Sequence, residues 1–512
     1  MSRGLGDVYK RQVALLCGMS SCSDFLDRYP DTAVPEEESM TDLVSSEQIV
    51  IGIYSSFKNS ALYSGTLTLA PDVQTDLVYA VKGYTNVYGP LYRWDFRDSD
   101  TSIESVYSGL YQVIARCNFF MDHKDEVYGK LTTEADKTTF KKYEGDVYFF
   151  RALAYSDLIR MYCEAYDPDN AENQLGVSLY LRYRKEGEDS SIEPRASLAD
   201  SYKQVLSDLE QAEKYATRKG ADTQWITIGA VQTLKSRVYL HMKNWEKVIE
   251  YATKVVDSKV YTLADAMKVK WVDEETGNTM TDYQRMWKYD EGDEVIWRVQ
   301  MSTTDRGGAL GTVFLNYNNV AYLPDYVPAK WLLDSYSTND MRYSAFFYSI
   351  KTGYSHGLTW PIVIKYLGNA DIDAGVGKYY TNMPKVLRYA EVFLNRAEAY
   401  AQLGKTKEAN NDLTKLRRAR IADYGSASYT QDKLMKAIQD ERAKELFMEG
   451  FRLSDLKRWN LGFERTPQTG TIDGSLNNSL KIEKGNPAFI WPIPKHELDA
   501  SMGLVKPNES NK

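Results

Sequence analysis

The chain has 512 residues, of which 43% are hydrophobic and 26% charged, and a net charge of −8. This is ordinary globular composition, ample for a core, and the lack of a sustained basic run argues against nucleic acid as a partner. No stretch approaches the roughly 20 apolar residues of a membrane-spanning helix. Length alone suggests about three domains at roughly 150 residues each, but helices of one repeated type run from the first third to the end and favour a single intertwined domain.

In chain order, residues 1–12 contain Asp7 and make a poor basic leader, so they read as a non-native start. Residues 13–19, VALLCGM, then Ser20, Ser21 and Cys22, have the order of a bacterial lipoprotein signal: apolar segment, small residues, lipid-accepting cysteine. Residues 1–21 are therefore expected to be a signal segment and Cys22 the acylated residue, the alternative being an ordinary thiol in a frayed tail. Acidic residues after it (Asp24, Asp27, Asp31, Glu36, Glu37, Glu38) suit a tether leading away from a membrane surface.

Residues 79–97 place Tyr79, Tyr84, Tyr88, Tyr92 and Trp94 beside Asn86, Arg93 and Asp95, punctuated by Gly83, Gly89 and Pro90. Such ring density in a breaker-rich loop is hard to bury, which makes it a candidate binding loop, although Trp94 equally suits a core position. Residues 147–162 then read as a helix with Ala152 and Tyr155 on one face. A second copy of this small-then-tyrosine pattern has Ser236 and Tyr239, a turn at Asn244 and Trp245, and a returning helix through Val248, Ala252 and Val255. Trp287 and Trp297 flank EGDEVIW, where Val295, Trp297 and Val299 alternate as in a half-buried strand. Residues 303–326 form a second candidate loop, with Arg306, two adjacent glycines, Phe314, Asn316, Tyr317, Asn318, Asn319, Tyr322 and Tyr326; its FLNYNNVAYL also alternates as a strand would.

Residues 387–420 carry the clearest pattern, a tetratricopeptide-type helical hairpin. Ala390, Phe393, Ala397 and Tyr400 share one face, Gly404 turns the chain, and Ala409, Leu413 and Leu416 face back. Small residues let helices approach and large ones fill the groove. The basic run at 415–420 alternates with these apolar positions and reads as a solvated face. Ala152, Ser236 and Ala397 are 84 and 161 residues apart, so the copies form no fixed-period array and long insertions leave the framework. Loops on such scaffolds commonly carry binding surfaces.

Catalytic and metal signatures are sparse. Cys17, Cys22, Cys117 and Cys163 lack zinc-ligand spacing, and His123, His241, His356 and His496 stand alone. A bridge between Cys117 and Cys163 cannot be read from spacing. Glycines at 307–311 and 375–378 read as turns, not phosphate loops. The acidic loop at 167–172 lacks the glycine and distal glutamate of an EF-hand, so structural calcium is conceivable but not expected, and no cofactor is expected. There is no Gly-x-Ser-x-Gly elbow. A glycoside hydrolase needs two carboxylates about 5–10 Å apart across a cleft, which 71 acidic residues do not identify. The 39 Tyr against 16 Phe put polar handles on most rings; packing explains many of them, while some suit stacking against sugars.

In order, residues 22–30 (a Cys followed by SDFLD and a proline), LYQVIARCN at 110–118, EGDVYFFRALAYSDLIRMY at 144–162, PAKWLLDSYSTNDMRY at 328–343, LRYAEVFLNRAEAY at 387–400, ERAKELFMEGFRLSDLKRW at 441–459 and FIWPIPKHEL at 489–498 resemble the SusD/RagB family. The resemblance implies a mostly helical fold: tetratricopeptide-like pairs in a right-handed superhelical scaffold, with an irregular, loop-rich ligand-binding half. It implies one domain over residues 22–512, with parts 22–260 and 261–512. It implies a non-enzymatic, surface-exposed lipoprotein of the outer membrane that binds an oligosaccharide and delivers it to a SusC-like TonB-dependent transporter. A peptide-binding uptake lipoprotein, or a tetratricopeptide adaptor without a small ligand, are the alternatives. Tyr84, Tyr88, Trp94, Arg306, Asn316, Tyr317 and Tyr322 are the expected ligand contacts. Trp245, Trp331, Trp459 and Trp491 are assigned to packing.

Overall fold

Small and large apolar residues at helical spacing become antiparallel helix pairs in the computed structural model, which describes residues 39–184, 192–273, 276–354, 357, 359–373, 380–466 and 481–511. The signal segment, Cys22, His356 and the glycines of 375–378 lie outside the described residues. Helix α1 (Leu43–Ser56) starts at Asp42, whose carboxylate accepts from the Ser45 amide at 2.8 Å in a reciprocal capping box. Helices α2 (Thr101–Lys130), α3 (Glu134–Tyr162), α4 (Leu198–Tyr215), α5 (Ile228–His241) and α6 (Trp245–Asp257) are capped in turn by Asp100, Thr133, Ser197, Thr227 and Asn244 side chains. Helix α3 packs against both α2 and α4, and α5 against α6. The repeated small positions explain the close approach: Ala152 and Ser236 are fully buried.

The hairpin read at 387–420 is α7 (Tyr389–Gln402) and α8 (Thr406–Arg418), succeeded by α9 (Gln431–Glu445) and α10 (Arg452–Trp459). Ala390, Ala397, Ala409, Leu413 and Leu416 bury together. Gly404 turns the chain at φ +71, a conformation that costs other residues a steric penalty. Phe393 leans instead into the main core formed by α1 to α5.

Strands are short and occur as isolated pairs among the described residues. Strand β1 (Val78–Ala80) pairs with β3 (Tyr326–Pro328), β2 (Val295–Arg298) with β6 (Lys385–Arg388), and β4 (Phe347–Lys351) with β5 (Thr359–Val363). The alternation around EGDEVIW predicts a half-buried strand, but all four residues of β2 are buried. Trp297 fills the space against Phe150 at 5.4 Å and Phe57 at 6.0 Å, and Trp287 is buried as well. The tryptophans assigned to packing take structural positions: the Trp331 indole donates to the Asp76 carbonyl at 2.7 Å, Trp459 to Glu398 at 2.8 Å, Trp491 is fully buried, and Trp245 packs on a small satellite cluster. Cys117 and Cys163 are buried free thiols.

The basic run at 415–420 is only half solvated. Lys415 and Arg418 face solvent, whereas Arg417 reaches Glu441 at 2.7 Å and Arg420 reaches Glu294 at 2.7 Å and Glu445 at 3.1 Å. Arg388 adds Glu294 at 2.6 Å, Glu445 at 3.0 Å and Glu449 at 2.7 Å; Arg342 binds Asp340 and Glu441. Burial opposes ionisation of Glu445, yet the Arg420, Arg388 and Arg342 guanidiniums outweigh it and hold the carboxyl at about 2. Each charge is hydrogen-bonded from several sides, which is what allows so many to be buried. The network ties α9 to β2, to β6 and to the end of α8.

Candidate ligand-binding face

Three-residue strands of aromatic and β-branched character, VYA and YVP, bring the two ring-rich loops together. In register, Val78 faces Pro328, Tyr79 faces Val327 and Ala80 faces Tyr326. Beyond the pair, the Val81 amide donates to the Asp325 carbonyl at 2.8 Å, and the Asp325 carboxylate accepts from the Thr85 amide at 2.8 Å and the Thr85 hydroxyl at 2.6 Å. The Tyr326 hydroxyl donates to the Val87 carbonyl. Burial raises the Asp325 carboxyl despite the Thr85 bonds. Both of its oxygens are engaged in holding one loop to the other.

In the first loop Tyr84 packs edge-on against Tyr326 at 5.8 Å. Its hydroxyl lies 3.1 Å from the Asn86 side-chain oxygen and accepts from the Arg93 guanidinium, which also donates to Asn86 at 2.7 Å. Burial pushes the Tyr84 hydroxyl above its usual range, with Arg93 opposing, so the phenol is neutral and can donate. Tyr88 is half-buried between the two main cores. Trp94 donates its indole N–H to the Gln74 carbonyl at 2.7 Å and packs on Phe489 at 4.9 Å and Phe463 at 5.8 Å. These two residues, Tyr88 and Trp94, hold the loop in shape from beneath, while Tyr84 stands nearer its surface.

The second loop is anchored by buried Val313, Phe314 and Leu315 in a single helical turn, so the strand-like alternation of FLNYNNVAYL does not produce an extended strand there. Residues 316–323 then close into a tight hairpin tip. Tyr317 bridges Tyr322, the Leu323 amide donates to the Asn316 carbonyl at 2.6 Å, and the Asn318 side chain accepts from the Val320 and Ala321 amides at 3.1 and 2.9 Å. The Tyr317 and Tyr322 rings are 5.1 Å apart; Tyr317 is 39% exposed and Val320, at the tip, 84%. The Asn316 side chain is half-buried beside them. Arg306 lies further back. Its Nε donates to the Thr303 carbonyl at 2.9 Å and its guanidinium is 3.9 Å from Asp373.

A third segment joins this face. Tyr354, from the turn between β4 and β5, donates to the Pro324 carbonyl at 2.9 Å, lies 6.3 Å from Trp360, and approaches the position a side chain at Gly83 would occupy. The Gly353 amide donates to the Tyr322 carbonyl at 3.0 Å. Burial pushes the Tyr354 hydroxyl up to about 12. Tyr380 is buried against Tyr322 and Tyr317. Sequence reasoning nominated neither Tyr354 nor Tyr380; the glycine beside Tyr354 was the available signal of a turn.

Of the seven expected contacts, Asn316, Tyr317 and Tyr322 share the hairpin tip, Tyr84 stands on the loop that Thr85 ties to Asp325, Tyr88 and Trp94 pack towards the core below that loop, and Arg306 turns to Thr303 and Asp373. Backbone strain concentrates here. Asn86, Tyr88, Trp94, Asn319 and Tyr380 are five of the twelve non-glycine residues with positive φ among the described residues. Left-handed non-glycine residues persist only where surrounding structure fixes them, and they cluster at ligand sites. Chemically, the face offers ring surfaces for stacking together with amide, phenol and guanidinium groups for hydrogen bonding.

Comparison with known proteins agrees with this architecture. A family model described as the SusD family matches residues 191–510, and one described as starch-binding, associating with the outer membrane, matches residues 24–240. The chain belongs to the SusD family. Among its relatives, SusD-like protein P25 of Formosa agariphila is 22% identical over 98% of each chain. The starch-binding protein SusD of Bacteroides thetaiotaomicron is 25% identical, covering 81% of this chain and 79% of that protein. Among solved structures, a SusD superfamily protein from Bacteroides thetaiotaomicron superposes with a TM-score of 0.77 at 23% identity, covering 92% of this chain and all of the other. A putative sugar binding protein from Bacteroides vulgatus gives 0.75 at 24% identity, covering 93% and 100%. The mostly helical SusD fold expected from the ordered sequence blocks is thus the fold observed.

Proposed function

We propose that the chain is a surface-exposed outer-membrane lipoprotein, anchored through Cys22, that captures an oligosaccharide and delivers it to a SusC-like TonB-dependent transporter without cleaving it. The observation that carries this reading is the pairing of β1 with β3. It turns two ring-rich loops from distant parts of the chain into one partly exposed aromatic face on a rigid helical support. Tyr317 and Tyr322 stack on sugar faces; Tyr84, Arg93 and Asn316 supply hydrogen bonds; Tyr88, Trp94 and Arg306 hold the loops in position. Membership of the SusD family, and the starch-binding and sugar-binding descriptions of its relatives, support an oligosaccharide as the ligand class.

The test is a glycan-array and affinity-gel screen of protein beginning after Cys22, beside a variant carrying Tyr84→Ala, Tyr317→Ala and Tyr322→Ala. Binding by the native chain, lost in a still-folded variant, is the expected result. Absence of binding to every glycan, or retention in the variant, would reject the reading.

A further inference from the structure

The last carbonyl of a helical turn has no partner within the turn and needs a donor from outside it. In the first ring-rich loop that turn is Gly89–Tyr92. The Gly89, Pro90 and Leu91 carbonyls accept from the Arg93, Asp95 and Trp94 amides at 2.9, 2.9 and 3.1 Å. The Tyr92 carbonyl accepts instead from the guanidinium of Arg465 at 2.6 Å, a residue 373 positions away.

Arg465 follows strand β7 (Phe463–Glu464), which pairs with β8 (Lys481–Ile482), and it is 1% exposed. Its planar fork is spread over two segments of backbone. Nε donates to the Thr75 carbonyl at 2.9 Å and one Nη to the Gln74 carbonyl at 2.7 Å, while the other Nη holds Tyr92. The guanidinium lies 3.9 Å from the centre of the Tyr92 ring. Burial opposes the cation, and the carbonyls and the ring face offset that cost.

The clamp reaches the ring face by two routes. The Gln74 carbonyl also accepts from the Trp94 indole at 2.7 Å, so one oxygen joins Arg465 to the residue beneath the loop. Trp94 has φ +57, a conformation that persists only where surrounding structure fixes it. Along the other route, the Tyr92 ring lies 5.6 Å from Tyr326, which lies 5.8 Å from Tyr84. Arg93, next in the chain after the clamped carbonyl, donates to the Tyr84 hydroxyl and to Asn86 at 2.7 Å.

We infer that Arg465 is a positioning residue for the tyrosine face: by holding the Gln74, Thr75 and Tyr92 carbonyls together, it sets where Tyr84 and Arg93 stand for the ligand. The inference rests on the proposed binding face for its effect on ligand affinity, whereas its effect on the loop is readable without a ligand. Lysine in its place keeps the charge but offers donors from a single point, which cannot reproduce the fork.

The test is hydrogen-exchange mass spectrometry of the full protein, with calorimetric titration of maltohexaose, on the native chain and on Arg465→Lys, Tyr92→Leu and Arg388→Met. In Arg465→Lys the amides of residues 81–97 should exchange about tenfold faster while those of 387–420 are unchanged. Tyr92→Leu, which removes the ring under the guanidinium, should do the same, and Arg388→Met should instead accelerate 387–420 and spare 81–97. Maltohexaose affinity should fall about tenfold in Arg465→Lys and hold in Arg388→Met. Unchanged exchange at 81–97 in Arg465→Lys or Tyr92→Leu, equal acceleration of both regions as from a general loss of stability, or undiminished maltohexaose affinity in Arg465→Lys would each overturn the inference. Failure of the native chain to bind maltohexaose would count against the oligosaccharide reading, and exchange at 81–97 would then decide the role of Arg465 alone.

Discussion

The helical half and the loop-rich face use their polar groups in opposite ways. Around α7 to α9, arginines and acids are buried and satisfy one another: Arg342, Arg388 and Arg420 are almost wholly enclosed by Glu294, Glu441, Glu445 and Glu449. On the face built by 81–97 and 303–326, Tyr84, Tyr317 and Tyr322 stand part-exposed in loops whose backbone is left-handed at Asn86, Tyr88, Trp94 and Asn319. If the proposed binding face is right, stability resides mainly in the first region and recognition in the second, so substitutions should separate the two properties.

The largest effect is expected from breaking the buried network. Arg388→Met leaves Glu445 and Glu449 short of a partner and should cost about 3–5 kcal/mol of unfolding free energy, read by denaturant titration. A loss within error would show that the network contributes little.

Acid should attack the same region. Glu445 falls from 4.5 to about 2 on folding and Asp455 from 3.8 to about 2, where burial is outweighed by Arg442 and Arg458. Groups depressed by folding stabilise fully above their unfolded values and lose that contribution as pH falls through the folded ones. Thermal melting should therefore drop steeply between pH 4.5 and 2, and a flat profile across that window would contradict the role given to these carboxylates.

On the tyrosine face the balance reverses. Tyr317→Ala with Tyr322→Ala should weaken oligosaccharide binding at least tenfold, about 1.4 kcal/mol, while shifting unfolding by only about 0.5 kcal/mol, as surface changes do. The smallest effect is expected at the α7–α8 turn. Gly404→Ala meets no atom within 4 Å, so only its positive φ is strained, costing about 1 kcal/mol with no change in ligand affinity.

The scaffold was legible in the sequence because helix pairing leaves a local record: Ala390, Ala397, Ala409 and Leu413 recur at helical spacing on either side of Gly404. The face was legible only in parts. Its rings were visible in both loops, but β1 and β3 are three residues long and nearly 250 positions apart, too short and too distant for any periodic signal to pair them. For the same reason no local pattern singles out Tyr354, and Trp94 suits loop and core alike until the fold packs it on Phe463 and Phe489. Arg417 and Arg420 looked solvated because their partners, Glu441, Glu294 and Glu445, lie elsewhere in the chain.

The most direct measurement is a crystal structure of the protein with an oligosaccharide that binds in the glycan screen. A sugar ring should stack on Tyr317 or Tyr322, with its hydroxyls within hydrogen-bond distance of Tyr84, Arg93 or Asn316. A sugar seated against the helix pairs, with the tyrosine face empty, would contradict the division between scaffold and recognition face.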